Sequence, residues 1–295
     1  MPGEGKALLA AALWAVSGIV FASQIRRVTP LTLNVIRCVA ATVFVCLLIP
    51  FTGAAGEIRS ASVATIVTMV GTGIVSTGLG DSLYFVALPT LGASLAVPVS
   101  SSVYPLLTLL IAAVALGERI TLTIVFGSLL VVLGIFLLLS QTRPVVVPPV
   151  DGQRRITLDR RAAVLLLIAA AVFYTASTVW LRVGTGNLGP TSAGLLRTGA
   201  AGVFLLSMLR PLERSPRLDF RSAAWIAVAG VVGLGLGSLF YIAAVEEAGA
   251  GKTAVLTSTM PLFNLPLAVL FLKERVTPRI ILGTITCVAG ISLII

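Results

Sequence analysis

Residues Leu83–Leu139 read LYFVALPTLGASLAVPVSSSVYPLLTLLIAAVALGERITLTIVFGSLLVVLGIFLLL, and Leu239–Ile295 read LFYIAAVEEAGAGKTAVLTSTMPLFNLPLAVLFLKERVTPRIILGTITCVAGISLII. Offset by 156 residues, Pro105 falls on Pro261, Glu118 on Glu274, Arg119 on Arg275, Gly127 on Gly283 and Gly134 on Gly290. Just upstream, an offset of 157 brings Gly78, Gly80, Tyr84, Ala87 and Gly92 onto Gly235, Gly237, Tyr241, Ala244 and Gly249. Earlier still, at an offset of 160, PLTLNVIR (Pro30–Arg37) meets PTSAGLLR (Pro190–Arg197). The chain is one unit written twice, and a repeat of this kind fixes the architecture before any local pattern does.

The composition sets the solvent. Hydrophobic residues make up 57% and charged residues 11%, with mean hydropathy +1.07, whereas a soluble domain is about a quarter charged. Such a chain has too little polar surface for water, and runs of about 20 apolar residues, enough to cross ~30 Å of hydrocarbon, recur along it. The alternating pattern of a membrane β-barrel is missing, so the expected fold is an all-α bundle held by small residues. The net charge of +10 does not point to nucleic acid, because the basic residues gather in loops at helix ends, where they bias orientation. Cys38, Cys46 and Cys287 lie in apolar runs without metal-like spacing and read as buried inert thiols. The first apolar run, Ala7–Ala22, lacks a cleavage site and resembles the start of the second half, so it reads as a helix rather than a leader.

Ten helices are expected, at about Lys6–Gln24, Pro30–Pro50, Ser62–Leu88, Ala93–Leu116, Thr121–Ser140, Ala162–Val183, Pro190–Leu209, Arg221–Val245, Gly251–Leu272 and Pro278–Ile295. A Pro- and Arg-rich linker over 141–161 separates a first repeat, 1–140, from a second, 162–295. Prolines open several helices, where their missing N–H is harmless. The long third helix is expected to tilt or bend at its glycines, and Pro98, Pro105, Pro261 and Pro266 permit bends inside helices. Five helices per unit is odd, so the second unit enters the membrane from the opposite face. Inverted repeats of this kind are the signature of secondary transporters. The basic residues of the linker side outnumber Lys6, Arg59, Arg119, Arg182 and Lys252 on the side of the termini, which would place the linker in the cytoplasm.

In order and in double occurrence, Pro30 to Arg37, Tyr84–Ala87–Leu88 with Gly92–Ala93, Pro105, Gly117–Glu118–Arg119, Gly127 and Gly134, with their second-half counterparts, resemble the EamA type of the drug/metabolite transporter superfamily. The resemblance covers nearly the whole chain. It implies ten helices, a central cavity between the halves, and transport of small metabolites, often export of amino acids or related compounds. In similar eukaryotic carriers of nucleotide sugars or sugar phosphates the termini face the cytosol, against the charge count above.

Several motifs can be set aside. Gly78–Leu79–Gly80–Asp81 spells G-x-G-D, but aspartyl chemistry needs a second carboxylate, and Asp151, Asp159 and Asp219 fall in loops. Gly249–Ala250–Gly251–Lys252–Thr253 lacks the first glycine of a P-loop, Glu246 standing there, and no strand precedes it. The sequence has no histidine, which removes the Ser–His and H-E-x-x-H hydrolases. Glu118–Arg119 and Glu274–Arg275 read as local ion pairs at the interface. No enzymatic activity, cofactor or metal is expected.

Ionisable residues inside apolar spans are the functional leads, because they are costly in hydrocarbon. Arg37 and Arg197 lie about two turns inside their helices, either as contacts for a carboxylate or phosphate or as helix-pairing arginines. Asp81 has Ser238 as its counterpart. It is a candidate for binding a substrate amine or carrying a coupling proton, and equally for an ion pair with Arg37. Trp14, Tyr84, Ser101 (with Ser100, Ser102 and Tyr104), Tyr174, Tyr241 and Thr257 (with Trp180, Ser258 and Thr259) complete the expected lining, some of their hydroxyls bonding back to their own helix. The reading is a secondary transporter of a small polar metabolite in the cell membrane, most simply an amino-acid exporter. It partners the lipid bilayer and a small substrate, with protons as a candidate coupling ion and a monomer sufficient. The alternative is a lipid-handling or non-transporting protein of the same fold.

Overall fold

The computed structural model describes residues 1–24, 27–91, 93–139, 159–212, 219–263 and 277–295. Most of the linker, with Pro266, Glu274 and Arg275, lies outside the described residues. Within them the chain is helical and without strands. Helix α1 is Gly3–Gln24, α2 Pro30–Thr52 and α3 a short helix, Ala54–Ser60, that the sequence reading took for loop. Next come α4 (Val63–Gly73), a π-helical segment π1 (Ile74–Gly80) and α5 (Asp81–Leu91). Helices α6 (Ala93–Ala115) and α7 (Leu122–Leu139) end the first half. The second half holds α8 (Arg160–Gly184) and α9 (Pro190–Leu212). It continues through α10 (Phe220–Gly230), π2 (Val231–Gly237) and α11 (Ser238–Ala248), then α12 (Ala250–Thr257) and α13 (Pro278–Ile294).

Six helical stretches among the described residues are long and apolar enough to cross a membrane: Gly3–Phe21, Pro30–Thr52, Val63–Ala87, Arg160–Gly184, Pro190–Leu209 and Phe220–Ala248. Their outer faces carry Val43, Leu47, Val67, Val203 and Trp225 in the open, a belt that water would not tolerate. Cys46 stands on this exposed face. That corrects the expectation of three buried thiols, since an apolar run in a membrane helix has a lipid side as well as a packed one. Cys38 and Cys287 are buried and free.

Helix starts follow local chemistry. Thr29 and Ser62 cap α2 and α4, accepting from Thr32 N and Thr65 N at 3.1 Å, and Asp159 caps α8 through Ala162 N at 2.6 Å. Each such side chain satisfies a donor the helix leaves free. The bend expected in the third helix is realised as π1, where Asp81 N donates to Ser76 O, five residues back. The matching segment π2 occupies the matching Gly-rich run. Single π turns favour functional sites. The predicted helix Gly251–Leu272 is interrupted. Thr257, Ser258 and Thr259 turn their hydroxyls back onto Thr253, Val255 and Leu256 carbonyls at 2.8, 2.7 and 2.6 Å, ahead of Pro261, which has no N–H to give. The chain is helical again over 260–263.

The halves pack on each other through glycines, and each contact recurs with the halves exchanged. A methyl built on Gly230 would lie 2.7 Å from Arg37 Cα, and Gly73 abuts Arg197. Gly235 takes the Phe44 ring and Gly78 the Phe204 ring, each 2.9 Å from such a methyl. Gly237 takes Trp14 and Gly80 takes Tyr174. Helices α7 and α13 close on one another where Gly127 meets the Gly290 carbonyl and Gly134 meets the Gly283 carbonyl, both at 2.7 Å. Small residues permit this approach, which drives association where no hydrophobic effect separates helix from lipid.

Candidate functional site

Arg37 is reached from three directions. One turn earlier on α2, Asn34 Oδ1 accepts from its Nε at 2.7 Å, while Asn34 Nδ2 donates to the Thr77 carbonyl of π1 at 3.1 Å. The guanidinium pairs with Asp81 Oδ2. Phe21 and Phe85 present ring faces 5.6 and 5.3 Å from Arg37 Cζ, adding cation–π attraction to the ion pair. The second oxygen of Asp81 accepts from the Tyr174 hydroxyl of the other half at 2.7 Å. The expected ion pair of Asp81 with Arg37 is present.

Beside this group lies a ring of hydroxyls. Tyr104 OH stands 3.2 Å from both Thr178 Oγ1 and Tyr241 OH, and Thr178 and Tyr241 are 2.6 Å apart. Thr108 and Thr175 hydroxyls meet at 3.0 Å. Trp14 packs on Tyr241 with ring centroids 5.3 Å apart and donates to the Gly233 carbonyl of π2 at 3.0 Å. Tyr174 joins the two groups, edge-on to Tyr104 at 5.9 Å. In this conformation the hydroxyls satisfy one another across the halves.

Arg197 is held differently from its counterpart. Its Nη1 and Nη2 reach Ser177 Oγ at 3.3 Å and Ser76 Oγ at 3.4 Å, and both serines donate onward to the Thr72 carbonyl at 2.9 and 2.8 Å. No carboxylate lies within 4 Å of Arg197 among the described residues.

Of the residues expected to line a site, Trp14, Arg37, Asp81, Tyr174 and Tyr241 come together in one connected group, and Tyr84 packs beside it against Phe85 at 5.6 Å. Arg197 stands on π1 from the opposite side. Ser101 is half-buried on α6, outside the hydroxyl ring, and the buried Thr257 bonds back to its own helix while its hydroxyl also stands beside that of Tyr104. Asn34, Thr175, Ser177 and Thr178 were missed. The available signal was spacing: Asn34 precedes Arg37 by three residues and Thr178 follows Tyr174 by four, which puts each pair on one helix face.

At the end of the bundle holding the N-terminus, charges tie the halves together. Glu118 does not pair with Arg119, as sequence proximity suggested. Its carboxylate accepts from Ala250 N at 2.7 Å and Gly251 N at 3.0 Å and lies 3.8 Å from Arg182 Nε. The start of α12 offers free N–H groups and a positive dipole end, a stronger pull on a carboxylate than an exposed arginine next in sequence. Gly249 makes this possible with φ 88°, a conformation a side chain would resist. The P-loop-like run Gly249–Thr253 is therefore an anion cradle, filled by Glu118. Glu57 does the same for the start of α9, accepting from Gly189 N at 2.8 Å and from Ser192. Lys6 pairs with Glu247, and Lys252 with Glu4 at 3.3 Å.

A bundle of apolar helices with charged and hydroxylic groups held between two matched halves defines a polytopic membrane protein with a polar interior. The chain belongs to the EamA-like transporter family, which matches residues 1–140 and 161–295. It is 26% identical over 292 residues to an uncharacterized transporter of Archaeoglobus fulgidus, covering 98% of this chain and 96% of that one. Over 133 residues, 45% of this chain and 44% of the relative, it is 29% identical to a protein of Streptantibioticus cattleyicolor named "Probable terminal-alkyne amino-acid exporter". A solved crystal structure shares its fold with a TM-score of 0.77 at 18% identity, covering 99% of this chain and 95% of that one.

Proposed function

We propose that this family member is a secondary transporter of a small polar metabolite, with amino acids or related compounds as its first substrate class and export across the cell membrane as its direction. The observation that carries the reading is the polar group between the halves. Asp81 of the first half is held by Tyr174 of the second, and Tyr104 by Thr178 and Tyr241, so any relative movement of the halves must reorganise it. The exchanged glycine contacts support two inverted five-helix repeats within 1–140 and 162–295, ten helices in all, related by an axis in the membrane plane. That arrangement has two equivalent ways of tilting, one closing each face. The Glu118 and Glu57 contacts then represent closure at the face of the N-terminus. Amino-acid export draws support from the partial relative in S. cattleyicolor. The drive would be a gradient or exchange, with Asp81 as the candidate proton carrier.

A shallow apolar groove of about 510 Å³ along α4 and α9, lined by Val70, Ile74, Leu195, Leu196, Val203 and Phe204, is what favours a lipid-handling protein of the same fold. Uptake of labelled amino acids into proteoliposomes, with and without an imposed proton gradient, separates the two. Saturable uptake supports the transporter. Lipid binding, with no solute moved and no metabolite altering thermal stability, supports the second reading.

A further inference from the structure

Arg37 and Arg197 occupy the same place in the two repeats, and each backs onto the other half's glycine, Gly230 and Gly73. Their electrostatic situations are opposite. Arg37 has a resident carboxylate in Asp81, whereas the residue at the corresponding position of the second half is Ser238. Among the described residues Arg197 therefore keeps the guanidinium and has no carboxylate within ion-pair distance. Its partners there are two serine hydroxyls at 3.3 and 3.4 Å, long for hydrogen bonds to a cation, whose own protons go to Thr72 O. Ser177 is the chain neighbour of Thr178, whose hydroxyl meets those of Tyr104 and Tyr241. Arginine is charged at every relevant pH, and a partly buried cation between membrane helices that meets only long, neutral hydroxyl contacts is under-compensated. A guanidinium also presents a planar fork matched to a carboxylate.

Resting on the transporter reading above, we propose that Arg197 is the substrate's anion contact. The transported molecule carries a carboxylate that takes at Arg197 the place Asp81 takes at Arg37, while the hydroxyls of Tyr104, Thr178 and Tyr241 exchange their mutual bonds for bonds to its polar groups. Arg37 is spoken for and binds no substrate anion. A single guanidinium matches one carboxylate better than a phosphate dianion, which would need further cations.

The test is competition in proteoliposomes, with labelled amino acids against unlabelled amino acids and their amides, which differ only in the carboxylate. In the wild type the amides compete at least about ten-fold more weakly, the loss expected for one charge-assisted hydrogen-bonded pair. In Arg197→Gln this discrimination collapses toward equality, and Arg197→Lys keeps the charge but not the fork and falls between. Should Arg197→Gln fail to fold, Arg197→Lys alone decides, because a purely structural arginine would leave the acid-to-amide ratio untouched. Amides competing as well as acids in the wild type, or an unchanged ratio in the variants, overturns the assignment while the transporter reading stands. A wild type that moves no amino acid overturns the proposed substrate class and, with it, the role of Arg197.

Discussion

Arg37 and Asp81 form an ion pair between the helices in which neither partner is dispensable. Removing one member of a buried pair strands the other, at about 3–5 kcal/mol. Arg37→Leu leaves the Asp81 carboxylate with only Tyr174 and is predicted to lower thermal stability in detergent by an amount of that order. Asp81→Asn keeps an oxygen acceptor and should fold with a smaller loss, while altering transport or its pH dependence. The double variant Arg37→Leu/Asp81→Asn should recover part of the loss, and strict additivity in the cycle would contradict a direct coupling. This pair was legible in the sequence because ionisable residues in apolar runs announce themselves. The hydroxyls were not. Thr178 bonds to the Tyr174 carbonyl on its own helix at 2.7 Å, as threonines in any helix do, and only packing shows that the same oxygen also meets Tyr104 and Tyr241. Glu118 shows the opposite failure, since its neighbour in sequence is a plausible partner and its true ligands lie 132 and 133 residues away.

At the scale of elements, α7 and α13 are matched helices that meet at matched glycines. Gly127 and Gly134 face Gly290 and Gly283, with Cys287 Sγ donating to the Val131 carbonyl at 3.6 Å. Gly134→Leu must push the backbones apart, and overpacking costs about 1–3 kcal/mol. A fall in unfolding temperature is expected, with Gly18→Leu, where nothing lies within 4 Å, as the control that changes little. Equal stability of both variants would contradict the packing described. These spans were legible because the spacing of small residues repeats, and repetition separates a packing glycine from an incidental one. Only π1 was legible, as a glycine-rich bend in the third helix, and π2 was not, since one extra residue in a turn leaves no signal in hydropathy. The short helix α3 was missed because seven residues with two charges look like loop.

For the whole molecule, contacts at the end holding the N-terminus all cross from residues 1–140 to 161–295: Glu118 on the start of α12, Glu57 on the start of α9, Lys6 with Glu247 and Glu4 with Lys252; on the transporter reading they hold this face closed. Glu118→Gln retains a carbonyl acceptor but loses the charge that answers the helix start and Arg182. It should open this face more often. With Cys38, Cys46 and Cys287 replaced and a single cysteine at Thr178, a membrane-impermeant maleimide is expected to react several-fold faster in the Glu118→Gln background. An unchanged rate would show that Glu118 does not hold the face closed.

The central claim is that the halves move against each other to carry a solute, and counterflow tests it most directly. Proteoliposomes loaded with an unlabelled amino-acid mixture and diluted into labelled amino acids should show a transient overshoot of label. A bismaleimide with a disulfide in its spacer, joining cysteines placed at Glu118 and Ala250 in the cysteine-free background, should abolish it, and cleaving the spacer with a reductant should restore it. Absence of exchange for every amino acid, or an overshoot that survives the cross-link, would contradict the account.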